Sequence, residues 1–424
     1  MEQSLWPDLD NQRVLLAVSG GIAAYKAAEI CRLLNRCGAK VQVLMTRAAQ
    51  KFVGEATFAA LSGIGVGTSL WDAQQEATIG HIDAADHADL LVLAPCTANL
   101  LASMAHGLAH DMVTTVYLAF AGPVLVAPAM NVQMWAHPAT QHNAELLRER
   151  GNRFVGPEQG EMACGHVGAG RMAEPQEVLQ AAGACLAPQD LRGRRLLVTA
   201  GGTREAIDPV RFVANRSTGK MGFAIAAEAA ARGAEVTLIA GPTHLPEPWS
   251  VEMVRVGSAA EMGNTVDAHL EGKDAIVMAA AVADFTVAQV AAEKLKKESL
   301  GDRLTLELVR TRDILASLGE RFAGDDRAPL LVGFAAETAP DPATLADLAE
   351  AKLARKRCDL LVANDVSAND AGFASDTNRV VLFEQGRPPQ EVPLAKKRRV
   401  AGRILARVAE RLDGRSSAAT EPVA

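Results

Sequence analysis

Residues 13–46, RVLLAVSGGIAAYKAAEICRLLNRCGAKVQVLMT, indicate the fold class most clearly. Its first seven residues form a nearly continuous apolar run, which is typical of a buried parallel strand, and the run ends at Gly20 and Gly21. The following residues place apolar side chains at helical spacing as far as Gly38, a typical helix stop. KVQVLMT then predicts a second strand. Together they predict a βαβ unit with parallel strands and a right-handed crossover.

The same pattern recurs in both halves of the chain. DLLVLAP and GPVLVAPAM predict two more buried strands that reach Pro where a doubly wound sheet places its ligand loops. A short polar break, GACLAPQDLRG at 183–193, precedes a second series that begins with RRLLVTAGGTRE. DAIVMAAAVADF and LLVGFAAET continue that series. We therefore predict an α/β protein of two doubly wound, Rossmann-like domains, residues 1–187 and 188–424.

Composition limits the classes of partner. The chain has 424 residues, 49% of them hydrophobic, and a net charge of -7, which argues against a general nucleic-acid binder. The N-terminus MEQSLWPDLDNQ lacks the apolar core of a signal peptide, and no apolar run is long enough to span a bilayer. Six Cys without a CxxC pair suit a reducing compartment. We expect a cytoplasmic protein without membrane partners.

Two Gly-Gly turns follow predicted strands, at 20–21 and 201–202. Each turn can present backbone N–H groups to a phosphate at a helix N-terminus. Neither turn matches G-x-G-x-x-G, and the chain contains no G-x-x-x-x-G-K-[ST] sequence. A tight turn that needs Gly only for packing explains each of them equally well.

Three clusters in the first half indicate a site when they are taken together. The loop APAMNVQMW carries Asn131, which can offer an amide to a ligand or cap the following helix. His81 lies on a short polar element ahead of a strand, and Cys164 lies in the Gly-rich segment GEMACGHVGAGRM, which predicts a mobile flap. A single His is usually structural, and a single Cys usually packs as a small hydrophobic residue. We infer a functional site because both occur together with the Asn131 loop.

The motifs around these residues resemble those of the flavin-dependent cysteine decarboxylase family. The family's active histidine is matched by His81, and its A-C-G-x-x-G-x-G-R-M flap by residues 163–172. Its P-x-M-N-x-x-M-W motif is matched by Pro128, Met130, Asn131, Met134 and Trp135. The resemblance extends from about Arg13 to Leu412. Over that length the chain is similar to the bifunctional phosphopantothenoylcysteine decarboxylase and phosphopantothenate-cysteine ligase family of coenzyme A biosynthesis.

The resemblance implies an FMN site and a decarboxylation mechanism in the first domain. FMN would oxidise the cysteine side chain to a thioaldehyde, carbon dioxide would leave, and reduced FMN would return the hydride. His81 is then the candidate base, Asn131 holds the substrate carboxylate and Cys164 donates a proton. The implied FMN contacts are Ser19, Gly20, Gly21, Thr46, Thr97, Asn99 and Met130. Cys96 and His87 depart from the family's common Ala and Trp, which concerns local packing.

For the second domain the resemblance implies a CTP-dependent ligase. NRSTGKMG matches the motif N-x-S-[ST]-G-x-M-G and makes Asn215 its key residue, suited to orienting an acyl-cytidylate. AAAVADF and EKLKK assign Asp284 to CTP and Lys294 to the activation step, in which Mg²⁺ helps to neutralise phosphate charge. Further implied CTP contacts are Phe334, Lys352 and Lys356. Taken alone, Lys294, Lys296 and Lys297 would indicate a solvated charge run. The metal ligands stay unassigned.

The substrates implied are 4'-phosphopantothenate, L-cysteine and CTP. The family also implies a homo-oligomer in which trimeric flavin domains and dimeric ligase domains build a dodecamer. Two other functions stay open at this point. One is a two-domain nicotinamide oxidoreductase, which the missing dinucleotide fingerprint disfavours. The other is a flavin-binding regulatory protein without catalysis, which the presence of His81, Asn131 and Cys164 disfavours.

The run KKRR at 396–399 is a separate feature. It could be a nuclear address, but a basic, solvated helix face explains it as well and is the interpretation we favour.

Overall fold

The computed structural model describes residues 5–70, 81–161, 165, 167–296, 303–337, 341–365 and 375–418. These residues divide into two compact units. One is Trp6–Ala187, and the other contains the described residues from Pro188 onward together with Leu5. Within these ranges no helix combines the length and the apolar character needed to cross a membrane.

The first unit is built on a five-stranded, wholly parallel sheet with the order β2-β1-β3-β4-β5. The strands are β1 Arg13–Val18, β2 Lys40–Met45, β3 Leu90–Cys96, β4 Val124–Pro128 and β5 Arg153–Phe154. The helices are α1 Ala24–Arg36, α2 Glu55–Ser62, α3 His81–His87, α4 Ala98–His106, α5 Met112–Ala119, α6 Val132–Ala136, α7 Pro138–Glu149 and α8 Pro175–Leu186. A hairpin of β6 Glu158–Glu161 and β7 Val167–Arg171 completes the unit. The strand order reverses between β1 and β3, where doubly wound sheets bind their ligands.

Alternating side chains of the buried strands fill two cores in this unit. Val14, Leu16 and Val18 of β1 pack in the cluster that contains apolar residues of α1 and α8. Leu15 and Ala17 point the other way, into the cluster with α4, α5 and α7. Because both faces are covered, the strands contain consecutive apolar residues and not an alternating pattern.

The second unit has an eight-stranded sheet with the order β12-β11-β8-β13-β16-β17-β18-β19. The strands are β8 Arg195–Ala200, β11 Glu235–Ala240, β12 Glu252–Arg255, β13 Ala275–Met278, β16 Leu330–Glu337, β17 Leu360–Asp365, β18 Thr377–Phe383 and β19 Gln390–Lys396. Two antiparallel ribbons pair β9 Arg204–Ala206 with β10 Phe212–Ala214, and β14 Phe285–Val287 with β15 Leu308–Arg310. The helices are α9 Lys220–Ala231, α10 Ala259–Ala268, α11 Ile314–Arg321, α12 Pro342–Lys356 and α13 Lys397–Ala418. The first six strands are parallel in the Rossmann order, with the reversal between β8 and β13.

The predicted fold class is confirmed, and the βαβ unit of residues 13–46 forms as expected. β1 and β2 are parallel with Arg13 opposite Lys40, and Gly38 ends the α1 region with a φ of +96°. The antiparallel strands β18 and β19 and the two ribbons were not part of the prediction.

The interpretation of KKRR as a solvated face is wrong for its two central residues. Lys397 and Arg398 are 2% and 3% exposed at the start of α13. Arg398 donates from Nε to Glu228 Oε2 at 2.6 Å, and Lys397 donates from Nζ to the Ser375 carbonyl at 2.6 Å. Burial is tolerated because each cation meets an anion or a carbonyl dipole.

Candidate functional site

A cavity of about 1140 Å³ lies at the carboxyl edge of the first sheet. The turns that follow β1, β2, β3 and β4 and the end of the β6–β7 hairpin line it. The structure places eight predicted residues around this cavity: Ser19, Gly20, Gly21, Thr46, Thr97, Asn99, Met130 and Asn131. Residues that the family resemblance implies for FMN and for the substrate carboxylate therefore line one common space.

Ser19 joins the loops that follow β1 and β3. Its Oγ donates to the Pro95 carbonyl at 2.7 Å and accepts from the Thr97 backbone N–H at 3.1 Å. Thr97 in turn caps α4, because its Oγ1 accepts from the Leu100 N–H at 3.4 Å. The first turn of α4 lines the cavity, and a helix N-terminus favours a bound anion such as a phosphate.

The two glycines of the first turn differ in what requires them. A Cβ at Gly20 would lie 2.4 Å from the Ala48 Cβ, so the close approach of the neighbouring turn requires Gly there. At Gly21 the nearest atom would be Thr97 Cγ2 at 3.6 Å, an ordinary contact. The packing explanation therefore holds for Gly20, and protein packing alone does not require Gly21.

Asn131 is the cap of α6, as one of its two sequence interpretations predicted. Its Oδ1 accepts from the Gln133 N–H at 2.8 Å, and the residue also lines the cavity. The preceding residue, Met130, donates its N–H to the Gly170 carbonyl at 3.0 Å. The loop after β4 is thus tied to the hairpin that precedes α8.

The two other residues predicted for the decarboxylation site are His81 and Cys164. His81 is the first residue of α3, and its side chain lies outside the described part of the chain. Cys164 falls outside the described residues altogether.

Sequence reasoning missed a cluster of charges at one side of this cavity. Lys26, in the first turn of α1, donates from Nζ to the Met172 carbonyl at 3.2 Å and to Glu174 Oε1 at 3.1 Å. Arg171 Nη2 also lies 3.1 Å from Glu174 Oε1. The sequence did contain one indication of this cluster. The lysine in AAYKAA is a single cation at the start of a helix that is otherwise apolar there. His110 and Asp111, ahead of α5, line the cavity as well and had no comparable signal.

Of the two departures from the family pattern, Cys96 is fully buried on β3, and burial raises the pKa of its thiol well above its usual range. His87, at the end of α3, lies 3.0 Å from the carboxylate of Asp83, one helical turn earlier. Cys96 is therefore part of the core, and His87 is an exposed residue with a carboxylate partner on its own helix.

The second candidate site lies at the carboxyl edge of the other sheet, where the strand order reverses between β8 and β13. Gly201 has a φ of +83°, and a Cβ there would approach Gly241 O to 3.3 Å. A Cβ at Gly241 would lie only 2.3 Å from Gly202 O. The Ala281 N–H donates to Gly201 O at 2.8 Å. Close contact between backbones therefore explains why this turn is built from glycine.

Asn215 connects the two predicted ligase motifs. Its Nδ2 donates to the carbonyls of Ala281 and Val282, at 3.1 Å and 3.3 Å. Asp284, two residues further along, is exposed. NRSTGKMG and AAAVADF therefore meet at this edge, as two halves of one site would.

The two predicted lysines of α12 each contact a carboxylate. Lys352 Nζ lies 3.1 Å from Glu337 Oε1, at the end of β16, and Lys356 contacts Asp313, the cap of α11. Burial lowers the pKa of the Lys356 ammonium, and the negative charge of Asp284 acts in the opposite direction. Asp284 and Lys356 therefore share one electrostatic environment. Phe334 is half-buried on β16.

Lys294 is exposed on a loop that is attached to the 208–211 turn. Its neighbour Leu295 donates its N–H to Asp208 Oδ2 at 3.1 Å and accepts from Arg211 Nη2 at 3.0 Å. Lys297 lies outside the described residues. In the part of the chain that the structure covers, no three His, Cys, Asp or Glu side chains are grouped as metal ligands.

Comparison with known proteins gives matches to both halves. Residues 3–186 match the family model described as Flavoprotein, and residues 191–412 match the model described as DNA/pantothenate metabolism flavoprotein C-terminal domain. The coenzyme A biosynthesis bifunctional protein CoaBC of Bacillus subtilis is 46% identical over 405 residues, 95% of this chain and 97% of that protein. The protein of the same name from Escherichia coli strain K12 is 45% identical over 407 residues, 96% and 98% respectively.

Solved structures resemble each half separately. A crystal structure of the C-terminal domain of CoaBC is 39% identical and covers 53% of this chain and 99% of its own, with a TM-score of 0.44. A PPC decarboxylase mutant complexed with pantothenoylaminoethenethiol is 33% identical and covers 40% of this chain and 94% of its own, with a TM-score of 0.36.

Proposed function

Because this chain belongs to the family of bifunctional coenzyme A biosynthesis proteins, we propose that it converts 4'-phosphopantothenate into 4'-phosphopantetheine in two steps. The second unit couples L-cysteine to 4'-phosphopantothenate at the expense of CTP. The first unit then decarboxylates the product with FMN. Two observations support the proposal: eight predicted residues line one cavity at the ligand edge of the first sheet, and Asn215 joins the two ligase motifs at the edge of the second. Family membership sets aside the nicotinamide oxidoreductase and the regulatory flavin-binder.

The cavity of the first unit fits FMN in size and in chemistry. Its volume of about 1140 Å³ accommodates a ligand larger than a typical drug, and the first turn of α4 offers an anion site for the phosphate. Bound FMN would supply the electron sink that loss of carbon dioxide requires. Ser19 and Thr97 hold the turns that contact it, and Thr46, Asn99 and Met130 provide further contacts.

Three residues of the first unit are proposed to act on the substrate. The cap to Gln133 N–H orients the Asn131 amide, whose N–H donors suit the substrate carboxylate. His81 would remove a proton, and Cys164 would return one to the product. A neutral thiol can donate a proton near neutral pH because the usual pKa of a Cys is about 8.5.

In the second unit, ligation needs the carboxylate of 4'-phosphopantothenate to be activated, because a free carboxylate resists attack by an amine. We propose that CMP is transferred to this carboxylate with release of pyrophosphate, and that the cysteine amine then displaces CMP. Asn215 would orient the acyl-cytidylate, and Lys294 would neutralise phosphate charge. Asp284, Phe334, Lys352 and Lys356 would contact CTP. Mg²⁺ would be held mainly by phosphate oxygens, as is usual for this ion.

Mass spectrometry of the products tests both steps at once. The purified chain, loaded with FMN, is incubated with 4'-phosphopantothenate, L-cysteine, CTP and Mg²⁺. We expect 4'-phosphopantetheine, CMP and pyrophosphate, and no product when CTP is left out. Arrest at phosphopantothenoylcysteine would refute the decarboxylase step alone, and absence of any product would refute both.

The location and the assembly are part of the same proposal. We expect a cytoplasmic homo-oligomer in which the first units form trimers and the second units form dimers, so that twelve chains complete one particle. Light scattering on the eluting protein would measure the molar mass. A monomer of 44.6 kDa at micromolar concentration would contradict the proposed assembly but not the two proposed reactions.

A further inference from the structure

We propose that Arg312, held by Asp267, is a positioning residue for the nucleotide site of the second unit. The proposal rests on the proposed function, in which Asp284 and Lys356 contact CTP. Neither Arg312 nor Asp267 belongs to a motif that the sequence singled out. Their role follows from the short segment Thr311–Asp313, which lies between the loop after β13 and the end of α12.

This segment is attached at both ends to proposed CTP residues or their neighbours. The Thr311 N–H donates to the carbonyl of Asp284 at 3.0 Å, and Thr311 Oγ1 donates to the carbonyl of Ala283 at 2.5 Å. At the other end the carboxylate of Asp313 contacts Lys356 Nζ. The segment is therefore a direct physical link between Asp284 and Lys356.

Arg312 fixes the middle of the segment to α10. Its Nη1 and Nη2 donate to the two carboxylate oxygens of Asp267, at 2.5 Å and 3.2 Å, and its Nε donates to Ser317 Oγ at 3.2 Å. Such a two-pronged pair defines the orientation of both side chains. The hydrogen bond from Arg312, and then its charge, hold the pKa of Asp267 below its usual range, so the carboxylate stays ionised at neutral pH.

The pair contributes little to folding and much to local geometry. The side chains of Arg312 and Asp267 are 44% and 31% exposed, and ion pairs this accessible add little to stability. The backbone on either side has its own anchors, Thr311 before and the buried Ile314 after. Without Arg312, the fold persists and Asp313 still caps α11 through the Ala316 N–H at 3.0 Å, but the segment that joins Asp284 to Lys356 loses its attachment to α10.

The test uses the full chain and four variants: Arg312→Gln, Asp267→Asn, the double variant, and Arg321→Gln. Arg321 is the matched control, because it also approaches Asp267, at 3.9 Å, but from the end of α11 and not from the segment. Initial rates of pyrophosphate release give kcat and KM for CTP and the KM for cysteine. Melting temperatures show whether each variant is folded.

We expect Arg312→Gln and Asp267→Asn each to raise the KM for CTP roughly 5- to 20-fold, because a misplaced contact near a reacting group weakens binding. The KM for cysteine and the melting temperature should stay near wild type, and the double variant should be no worse than either single one. Arg321→Gln should behave as wild type. Unchanged KM values for CTP, or additive effects in the double variant, would overturn the proposal. A wild-type chain that releases no pyrophosphate from CTP would instead refute the proposed ligase function on which it rests.

Discussion

At the scale of single residues, the glycine of the first turn shows how packing and ligand binding combine. Gly20 is needed because the turn around Ala48 comes within 2.4 Å of the place where a Cβ would lie. The same two turns line the cavity proposed for FMN. A side chain at position 20 would therefore push away the backbone at Ala48, which lines the cavity.

Gly20→Ala should lower the affinity for FMN. Overpacking of this kind costs about 1–3 kcal/mol, which corresponds to roughly tenfold weaker binding or more if the cavity bears the strain. The measurement is the ratio of FMN to protein at a fixed, limiting FMN concentration. Gly54→Ala is the control, because no atom lies within 4 Å of the Cβ it would add. Equal FMN content in both variants would contradict the prediction.

The buried thiols make stability depend on pH in the alkaline range. Burial raises the pKa of Cys31 to about 11, and burial does the same for Cys185 and Cys358. An unfolded thiol ionises from a pKa of about 8.5 to 9. Between these values the unfolded chain loses the proton while the native chain keeps it. The contribution of these thiols to the free energy of unfolding is therefore fully present below the unfolded pKa of about 8.5. It is lost as the pH rises toward the native value of about 11.

We expect Cys31→Ala to flatten this alkaline loss. Each such thiol contributes a slope of up to about 1.4 kcal/mol per pH unit, so its removal should make the melting temperature fall less steeply from pH 9 upward. Melting curves of wild type and variant at matched ionic strength provide the comparison. The variant's lower stability at pH 7 from the lost sulfur does not affect the test, which compares slopes. Parallel curves would show that Cys31 ionises equally easily in both states.

At the scale of elements, the basic start of α13 was the clearest error of the sequence interpretation. A run of four cations predicts a solvated face, but Arg398 is buried and each of its three guanidinium nitrogens donates a hydrogen bond. Its Nε contacts Glu228, Nη1 donates to the Leu5 carbonyl at 3.0 Å and Nη2 to the Ala227 carbonyl at 2.9 Å. Sequence shows charge but not its partner, and the partner here lies 170 residues away.

Arg398→Met should destabilise the second unit by about 3–5 kcal/mol, because it leaves Glu228 and two carbonyl groups without their donor. Urea unfolding followed by circular dichroism measures the loss. Arg403→Met, at an exposed position of the same helix, should change the free energy of unfolding by only about 0.5 kcal/mol or less. Similar losses in the two variants would mean that the Arg398 contacts contribute little.

At the scale of the whole molecule, each unit has cores of its own, and the N-terminal end of the described chain belongs to the second unit. Leu5 is 2% exposed and packs in a core cluster with Leu191, Ala226 and residues of α13. This assignment could not be predicted from a boundary drawn at residue 188. It means that a cut at the boundary removes a core side chain from the second unit.

Residues 1–187 and 188–424, expressed as separate proteins, should therefore behave differently. The first should bind FMN as the full chain does, since the cavity is lined entirely by residues between Ser19 and Glu174. The second should have a lower melting temperature than the same unit in the full chain, because it lacks Leu5. Leu5→Ala in the full chain, which should cost about 2–5 kcal/mol, is the matched test. The prediction would be wrong if fragment 188–424 melted at the temperature of this unit in the full chain and Leu5→Ala left that temperature unchanged.

The amino-acid sequence was enough to predict the fold class, and it indicated residues that the structure places at the carboxyl edges of both sheets. Buried parallel strands need consecutive apolar residues, and their turns need glycine where backbones touch, so residues 13–46 and the Gly-Gly turns could be interpreted locally. Asn131 and Asn215 were indicated by the resemblance of their motifs to those of the family. Only the tertiary structure decided the antiparallel strands β18 and β19, the burial of Arg398, the Lys26–Glu174 contact and the link from Asp284 through Arg312 to Lys356. Each of these depends on partners far apart in the chain, which no local pattern specifies.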